Sequence, residues 1–247
     1  MRGLQDKTVI VTGGGGGIGG ASCRRFAELG ARVAVLDRNF EAAQAVATGI
    51  TASGGRALAV ACDITDRASV NAAVATTESE LGPVHVLVNN AGWDIFKPFT
   101  KTDPGEWDRL IAINLIGPMH LHHAVLPGMI ERRAGRIVNV ASDAARVGSS
   151  GEAVYAACKG GIVAFSKTIA REHARHIVLP GLRHHAQTLG YQRQPHVLRH
   201  GLEPLPGVEE LAQRVGEHLA VGGGGKRRLI QHQPLVRVVG AWRLTVS

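Results

Sequence analysis

The chain has 247 residues, a formal net charge of +8, 45% hydrophobic and 4% aromatic residues. That length allows one large domain or two small ones, and the apolar fraction is too high for a disordered chain. No uninterrupted apolar run reaches the length of a membrane span, Met1–Lys7 lacks the apolar core of a signal peptide, and three widely spaced cysteines form neither a disulfide framework nor a zinc set. A reducing cytoplasm is the expected compartment, with no membrane partner.

Thr8–Val11 is a β-branched run that predicts a buried strand. It feeds the glycine run Gly13–Gly17, Ile18 and Gly19, then a helix with Cys23, Phe26, Ala27 and Leu29 near one face, stopped by Gly30. Arg32–Leu36 predicts a second strand closed by Asp37, and a helix follows over 41–50. A third strand over 57–61 leads into Cys62, Asp63 and Ile64. Asp66 is placed to cap a helix over 67–81 that Gly82-Pro83 ends. Val84–Val88 predicts a fourth strand before Asn89-Asn90-Ala91-Gly92. A long helix is expected over about 107–131, a fifth strand over 136–140 and a further helix over about 152–173. Strands alternating with helices of this length predict a doubly wound α/β fold with a parallel sheet, of Rossmann type, over residues 1–176.

In such a sheet ligands bind at the carboxyl ends of the strands. A glycine turn there lets the backbone approach a pyrophosphate, and the helix N-terminus adds free N–H groups. Gly13, Gly17, Ile18 and Gly19 occupy that place. Asp37 ends the second strand, where a carboxylate binds ribose hydroxyls and repels a 2′-phosphate, which points to NAD; the adjacent Arg38 leaves NADP open. Tyr155 and Lys159 stand four residues apart on one helix face, so an ammonium beside a phenol is expected to lower the tyrosine pKa and suit it to acid–base work. Ser142 follows the fifth strand and falls beside the same end of the sheet.

These motifs in this order (Thr12-Gly13-x-x-x-Gly17-Ile18-Gly19, Asn89-Asn90-Ala91-Gly92, Asn114, Ser142, Tyr155-x-x-x-Lys159) resemble the short-chain dehydrogenase/reductase family over about residues 4–176. The resemblance implies a catalytic set of Asn114, Ser142, Tyr155 and Lys159. It implies that Asp63 and Ile64 flank the adenine and that Asn90 steadies the cofactor pocket. The segments 92–99, 120–124 and 142–152 resemble, more closely, the members that use NAD to oxidise a ring hydroxyl β to a CoA thioester, in anaerobic degradation of benzoate and alicyclic acids. An acyl-CoA thioester is then the expected substrate, with Trp93, Phe96 and Arg146 lining a ring pocket and its rim. An NADPH-dependent 3-oxoacyl thioester reductase and a catalytically inactive nucleotide-binding copy are the alternatives.

Two further motifs are set aside. His120, His122 and His123 have no carboxylate or cysteine to complete a metal set, so no metal is expected. Gly222–Arg228 lacks the spacing and the Ser/Thr of a phosphate loop.

Residues 177–247 hold nine basic against four acidic residues, six histidines, and no Asp, Asn or Phe. A basic tail is a solvated segment more often than a nucleic-acid site, and no nucleic-acid partner is expected. Relatives continue with a sixth strand and a substrate loop. Here only three residues separate His176 from Pro180-Gly181, too few for that strand. The expectation is an atypical segment, either a frameshifted reading of a GC-rich gene or a divergent region with a helix over 208–219. Loss of the sixth strand would bare an apolar sheet edge. Homo-oligomerisation is expected if this segment folds.

Overall fold

The computed structural model describes residues 3–173 in full and the backbone of 238–244. The five parallel strands are β1 (Thr8–Thr12), β2 (Arg32–Asp37), β3 (Arg56–Ala61), β4 (Val84–Asn89) and β5 (Gly135–Val140); an antiparallel strand β6 (Val238–Leu244) completes the sheet. The helices are α1 (Gly17–Glu28), α2 (Phe40–Ala52), α3 (Arg67–Leu81), α4 (Pro104–Ile111), α5 (Gly117–Glu131), α6 (Ala144–Val147) and α7 (Ala153–Glu172). The strand order is β3-β2-β1-β4-β5-β6. Chain order therefore reverses between β1 and β4, and their carboxyl ends border the crevice where an open parallel sheet takes its ligand.

Alternation along each strand sends side chains to two separate cores. Val9, Val11, Val33, Val35, Val86 and Val88 pack with Cys23, Phe26 and Ala27 of α1 and Ala43, Val46 and Ile50 of α2. Ile10, Leu36, Leu87 and Ile137 pack on the other face with Val70 and Val74 of α3 and Leu121, Val125 and Met129 of α5. Both faces are covered, which is why β1 is apolar at every central position. Fully burying each such side chain contributes about 1.5–3 kcal/mol.

Local chemistry sets the helix ends. Asp66 caps α3 by accepting the Ala68 N–H at 2.9 Å, as expected, and Gly82 at φ 78° ends it. The long helix expected over about 107–131 is instead two helices joined by a π-helical turn, Ala112–Ile116. It also starts earlier, at Pro104. Asp103 and Glu106 form a capping box, each side chain accepting the other's N–H at 3.0 Å, with Pro104 in the first turn. The stretch Pro104–Glu131 is long and apolar enough, by length and composition alone, to cross a membrane. Within it Leu110, Leu121, Val125 and Met129 lie buried in the fold, while Ile111 and Ile116 are exposed.

The bare sheet edge expected from the atypical segment is not found. β6 pairs with β5 from Gly135↔Leu244 to Val140↔Val238. An unpaired strand edge offers a row of free N–H and C=O groups, and this antiparallel pairing satisfies them along β5. The helix expected over 208–219 and the motif at 222–228 lie outside the described residues.

Candidate active site

The loop between β1 and α1 brings backbone close to backbone. Gly13 has φ 62°, and a Cβ there would stand 2.9 Å from Ala91 Cα. A Cβ on Gly19 would strike the Gly13 carbonyl, so α1 can press against the loop only as glycine. Gly16 and Gly17 meet nothing, which leaves one side of the loop open beside the α1 N-terminus; Ile18 is partly exposed there. Asn90 ties this loop to the end of β4: its Nδ2 donates to the Thr12 and Gly13 carbonyls at 3.0 and 3.3 Å. The Thr12 hydroxyl in turn accepts the Asn90 and Ala91 N–H groups at 3.1 Å.

Asp37 accepts the Gly15 N–H through Oδ2 and the Asn39 N–H through Oδ1, both at 3.0 Å. Asn39, not Asp37, caps α2. Asp37 thus fixes the glycine loop and stands at the carboxyl end of β2. Beside it a depression is lined by Arg38, Asn39, Ala61, Cys62, Asp63 and Ser69. Asp63 accepts both the N–H and the hydroxyl of Thr65, and these bonds, with Arg38 nearby, hold its carboxyl below the usual range. Ile64 does not line the depression. Its side chain is buried in the core against Gly117. These residues suit a dinucleotide: a glycine cradle that side chains would fill, a helix N-terminus and a carboxylate at the end of β2.

At the other end of the crevice the four expected catalytic residues come together. Ser142 is buried just past β5, where its hydroxyl accepts the Ala144 N–H and acts on the Tyr155 phenol to favour its ionisation. Lys159 is 5% exposed; its Nζ donates to the Val140 carbonyl at 3.0 Å and lies 5.5 Å from the centre of the Tyr155 ring. Asn114 is fully buried on the π-helical turn. Its Nδ2 donates to the Trp93 and Leu110 carbonyls, and its Oδ1 accepts the Trp93 N–H. Gly92 separates Asn114 from Lys159; a Cβ there would be 3.1 Å from Asn114 Oδ1 and 3.6 Å from Lys159 Nζ. π-turns within helices recur at functional sites because they re-aim a side chain without ending the helix.

The electrostatics differ from the sequence expectation. Burial pushes Lys159 down to about 8, against the pull of Cys158 and Asp94. Burial, Asp94 and Glu152 push Tyr155 up, and only the Ser142 hydrogen bond opposes them. The expected lowering of Tyr155 is absent chiefly because the phenol is buried, with the charges of Asp94 and Glu152, unseen in the Tyr-x-x-x-Lys pattern, adding to the upward push. Asp94 and Glu152 are the site residues that sequence reasoning missed. The available signal was Glu152, three residues before Tyr155 and so on its helix face.

The three expected substrate residues each make a different contact. Trp93 is half-buried under the Arg109 guanidinium, 4.1 Å from its ring centre. Phe96 is 78% exposed and lies against Gly151. Arg146 is exposed on α6, 3.8 Å from Asp143. The three histidines diverge: His120 contacts the Ile64 carbonyl, His123 lies near Arg67, and His122 is buried.

The model of the short chain dehydrogenase family matches residues 7–182. The chain belongs to the short-chain dehydrogenase family. An acetoacetyl-CoA reductase of Synechocystis is 37% identical over 76% of this chain and 73% of its own. The (2S)-[(R)-hydroxy(phenyl)methyl]succinyl-CoA dehydrogenase subunit BbsD of Thauera aromatica is 35% identical over 74% of this chain and 75% of its own. Two solved structures align with TM-scores of 0.68 and 0.67. NAD+-bound xylitol dehydrogenase is 35% identical, covering 71% of this chain and 68% of that one. A metagenomic short-chain oxidoreductase with NADP is 37% identical, covering 70% and 79%. This short-chain dehydrogenase therefore has the fold of an oxidoreductase that uses a nicotinamide cofactor. Both cofactor forms occur among its structural neighbours.

Proposed function

We propose that this chain oxidises a hydroxyl β to a CoA thioester, with 2-hydroxycyclohexanecarboxyl-CoA as substrate and NAD as cofactor, in anaerobic benzoate and alicyclic acid degradation. The observation that carries the reaction is the meeting of Ser142, Tyr155, Lys159 and Asn114 at the carboxyl ends of β4 and β5, beside the glycine loop. The thioester reading draws support from two relatives named for CoA substrates, a reductase and a dehydrogenase. The ring reading draws on the loop residues Trp93, Phe96 and Arg146.

Gly13, Gly17, Ile18 and Gly19 would hold the pyrophosphate, Asp37 the ribose hydroxyls, and Asp63 and Ile64 would flank the adenine, the latter through its main chain. Bound NAD supplies the hydride acceptor. Ser142 holds the substrate oxygen by hydrogen bonding. Tyr155 takes the hydroxyl proton as the carbonyl forms, so negative charge never builds up on that oxygen. The Lys159 ammonium offsets charge on the phenolate and offers donors to a ribose. Asn114 fixes the Trp93 backbone over the site and would anchor a water in the proton relay.

Asp37 at the β2 terminus argues for NAD, since a 2′-phosphate would meet a carboxylate. Arg38, lining the adjacent depression, favours the second reading, an NADPH-dependent 3-oxoacyl thioester reductase. Turnover of the ring thioester with both cofactors, compared with acetoacetyl-CoA, tests the assignment. A hundredfold preference for NADPH would overturn the NAD reading. Cofactor binding without turnover of either thioester would point instead to an inactive copy.

We read residues from about 177 as frameshifted, which resequencing of the coding DNA tests; an undisturbed frame contradicts it. A cytoplasmic homotetramer is the assembly this reading carries, and mass in solution tests it.

A further inference from the structure

A polar cluster is buried where β4, β5, α5 and α7 meet. Asn89 and Asn139 are register partners near the ends of β4 and β5. Both are buried, as are His122 of α5 and Ser166 of α7. Asn89 Nδ2 donates to Asn139 Oδ1 at 2.8 Å, and Asn139 Nδ2 donates to the Ser166 hydroxyl at 2.8 Å. That hydroxyl donates in turn to the Ile162 carbonyl at 2.6 Å. Asn139 Nδ2 also lies 3.3 Å from His122 Nε2. The reaction described above uses none of these four side chains. Among the described residues Asn89 Oδ1 has no hydrogen-bond partner. A buried cluster with one polar atom left over is costly, and apolar side chains would fill the same space without that cost.

The cluster ties α7 to the sheet at a second point. The first is Lys159, whose Nζ donates to the Val140 carbonyl at 3.0 Å. Ser166 follows Lys159 by two helical turns, on the same face and about 10 Å further along the axis. Its partner Asn139 directly precedes Val140. Bonds to adjacent residues of β5 from two points on α7 fix both the rotation and the slide of the helix. One bond alone would leave rotation about that point to apolar packing. Tyr155 lies one turn before Lys159, so it moves with the helix. On the other side Asn139 is held by Asn89, and the next residue, Asn90, donates to the Thr12 and Gly13 carbonyls of the glycine loop.

We propose that Asn139 and Ser166 are positioning residues, whose hydrogen bond holds α7 in the register that buries Lys159 at the end of β5. The inference rests on the reading of Tyr155 and Lys159 as the acid–base pair. The groups that face Lys159 are the Tyr155 ring and Cys158 of its own helix and Asp94 after β4. None of them changes when the Asn139–Ser166 bond is removed, so a change at Lys159 reports the movement of α7. With the bond gone the seam loosens, water reaches Nζ, and the ammonium is retained to higher pH.

Nuclear magnetic resonance of isotope-labelled lysine follows the ionisation of Lys159 in the folded chain with no substrate present, and Lys159→Met identifies its signal. Ser166→Ala removes the hydroxyl and is expected to raise the Lys159 midpoint from about 8 by roughly one pH unit. Ser166→Thr keeps the hydroxyl and is expected to keep the midpoint. Thr77→Val, which removes a buried hydroxyl that donates to the Ala73 carbonyl within α3, is expected to leave it unmoved. An unchanged midpoint in Ser166→Ala overturns the proposal. So does an equal rise in Ser166→Thr or in Thr77→Val, which would assign the effect to packing or to general loosening and not to the bond. Because the titration needs no turnover, a failed thioester assay leaves its outcome standing, and an unmoved midpoint leaves the thioester reading standing.

Discussion

Asn114 grips both main-chain polar groups of Trp93. Its Nδ2 donates to the Trp93 carbonyl at 2.6 Å, and its Oδ1 accepts the Trp93 N–H at 3.3 Å. A side chain on a helix thus replaces the partner strand that an extended loop residue would otherwise need. Asn114→Ala strands both groups and is expected to cost about 1–3 kcal/mol of stability. Urea unfolding checks this; an unchanged midpoint would mean that water takes over the clamp.

Tyr155→Phe keeps the ring and removes only the hydroxyl. Turnover is expected to fall by about 10²–10⁴-fold while NAD binding changes little, since the glycine loop and Asp37 are untouched. Steady-state rates and a cofactor fluorescence titration measure the two effects separately. Wild-type-like turnover would remove Tyr155 from the proton step.

Lys159 gives a stability signature. Its folded-state ionisation lies at about 8, below its ordinary 10.5. Between those pH values the unfolded chain holds a proton that the folded chain has released. Stability tied to Lys159 therefore rises from about pH 8 to about 10.5, by up to about 3 kcal/mol. The difference between wild type and Lys159→Met, followed by denaturant unfolding across that window, isolates it. A constant difference contradicts burial as the cause.

His122 works at the acid end. It is buried among Asn89, Asn139 and the edge of the Phe165 ring, and burial lowers it to about 4. Its Nδ1 lies 2.7 Å from the Pro118 carbonyl, which fixes the proton there and leaves Nε2 to accept from Asn139. As pH falls through the unfolded value of about 6.5 toward 4, the unfolded chain takes up a proton that the folded chain refuses. Stability is expected to drop by up to about 3 kcal/mol over that range. His122→Gln should flatten this slope in acid unfolding curves.

Asp37→Ser removes the carboxylate at the end of β2 and leaves Arg38 in place. The ratio of kcat/KM for NAD to that for NADP is expected to fall by roughly tenfold or more, as one repulsive charge is lost. Steady-state kinetics with both cofactors measure it. An unmoved ratio would assign cofactor choice elsewhere.

The sequence made the sheet and its crevice legible because strand runs and glycine turns are local signals. Thr8–Val11 and Arg32–Leu36 have nearly the limits expected of them, and Asp66 caps α3 as expected. The order of Gly13, Asn90, Ser142, Tyr155 and Lys159 was enough to place them at one edge. What it missed depends on contacts between distant segments. The π-turn at Ala112–Ile116 leaves a helical hydrophobic pattern almost intact, so periodicity alone reads through it. The upward push on Tyr155 comes partly from Asp94, sixty-one positions earlier, and no spacing rule links the two. The capping box at Asp103 and Glu106 is a local signal too, and it sets the helix start at Pro104, three residues before the expected limit.

The pairing of β6 with β5 also sets a schedule. β5 ends at Val140 and β6 begins at Val238, so roughly 100 residues must be synthesised between them. At about 5–20 residues per second, β5 waits some 5–20 s on the ribosome before its neighbour exists. The five parallel strands and their two cores can assemble in that interval, but with one edge open to any strand nearby. Yield on expression then depends on how slowly other chains find that edge, a matter of concentration and temperature more than of final stability.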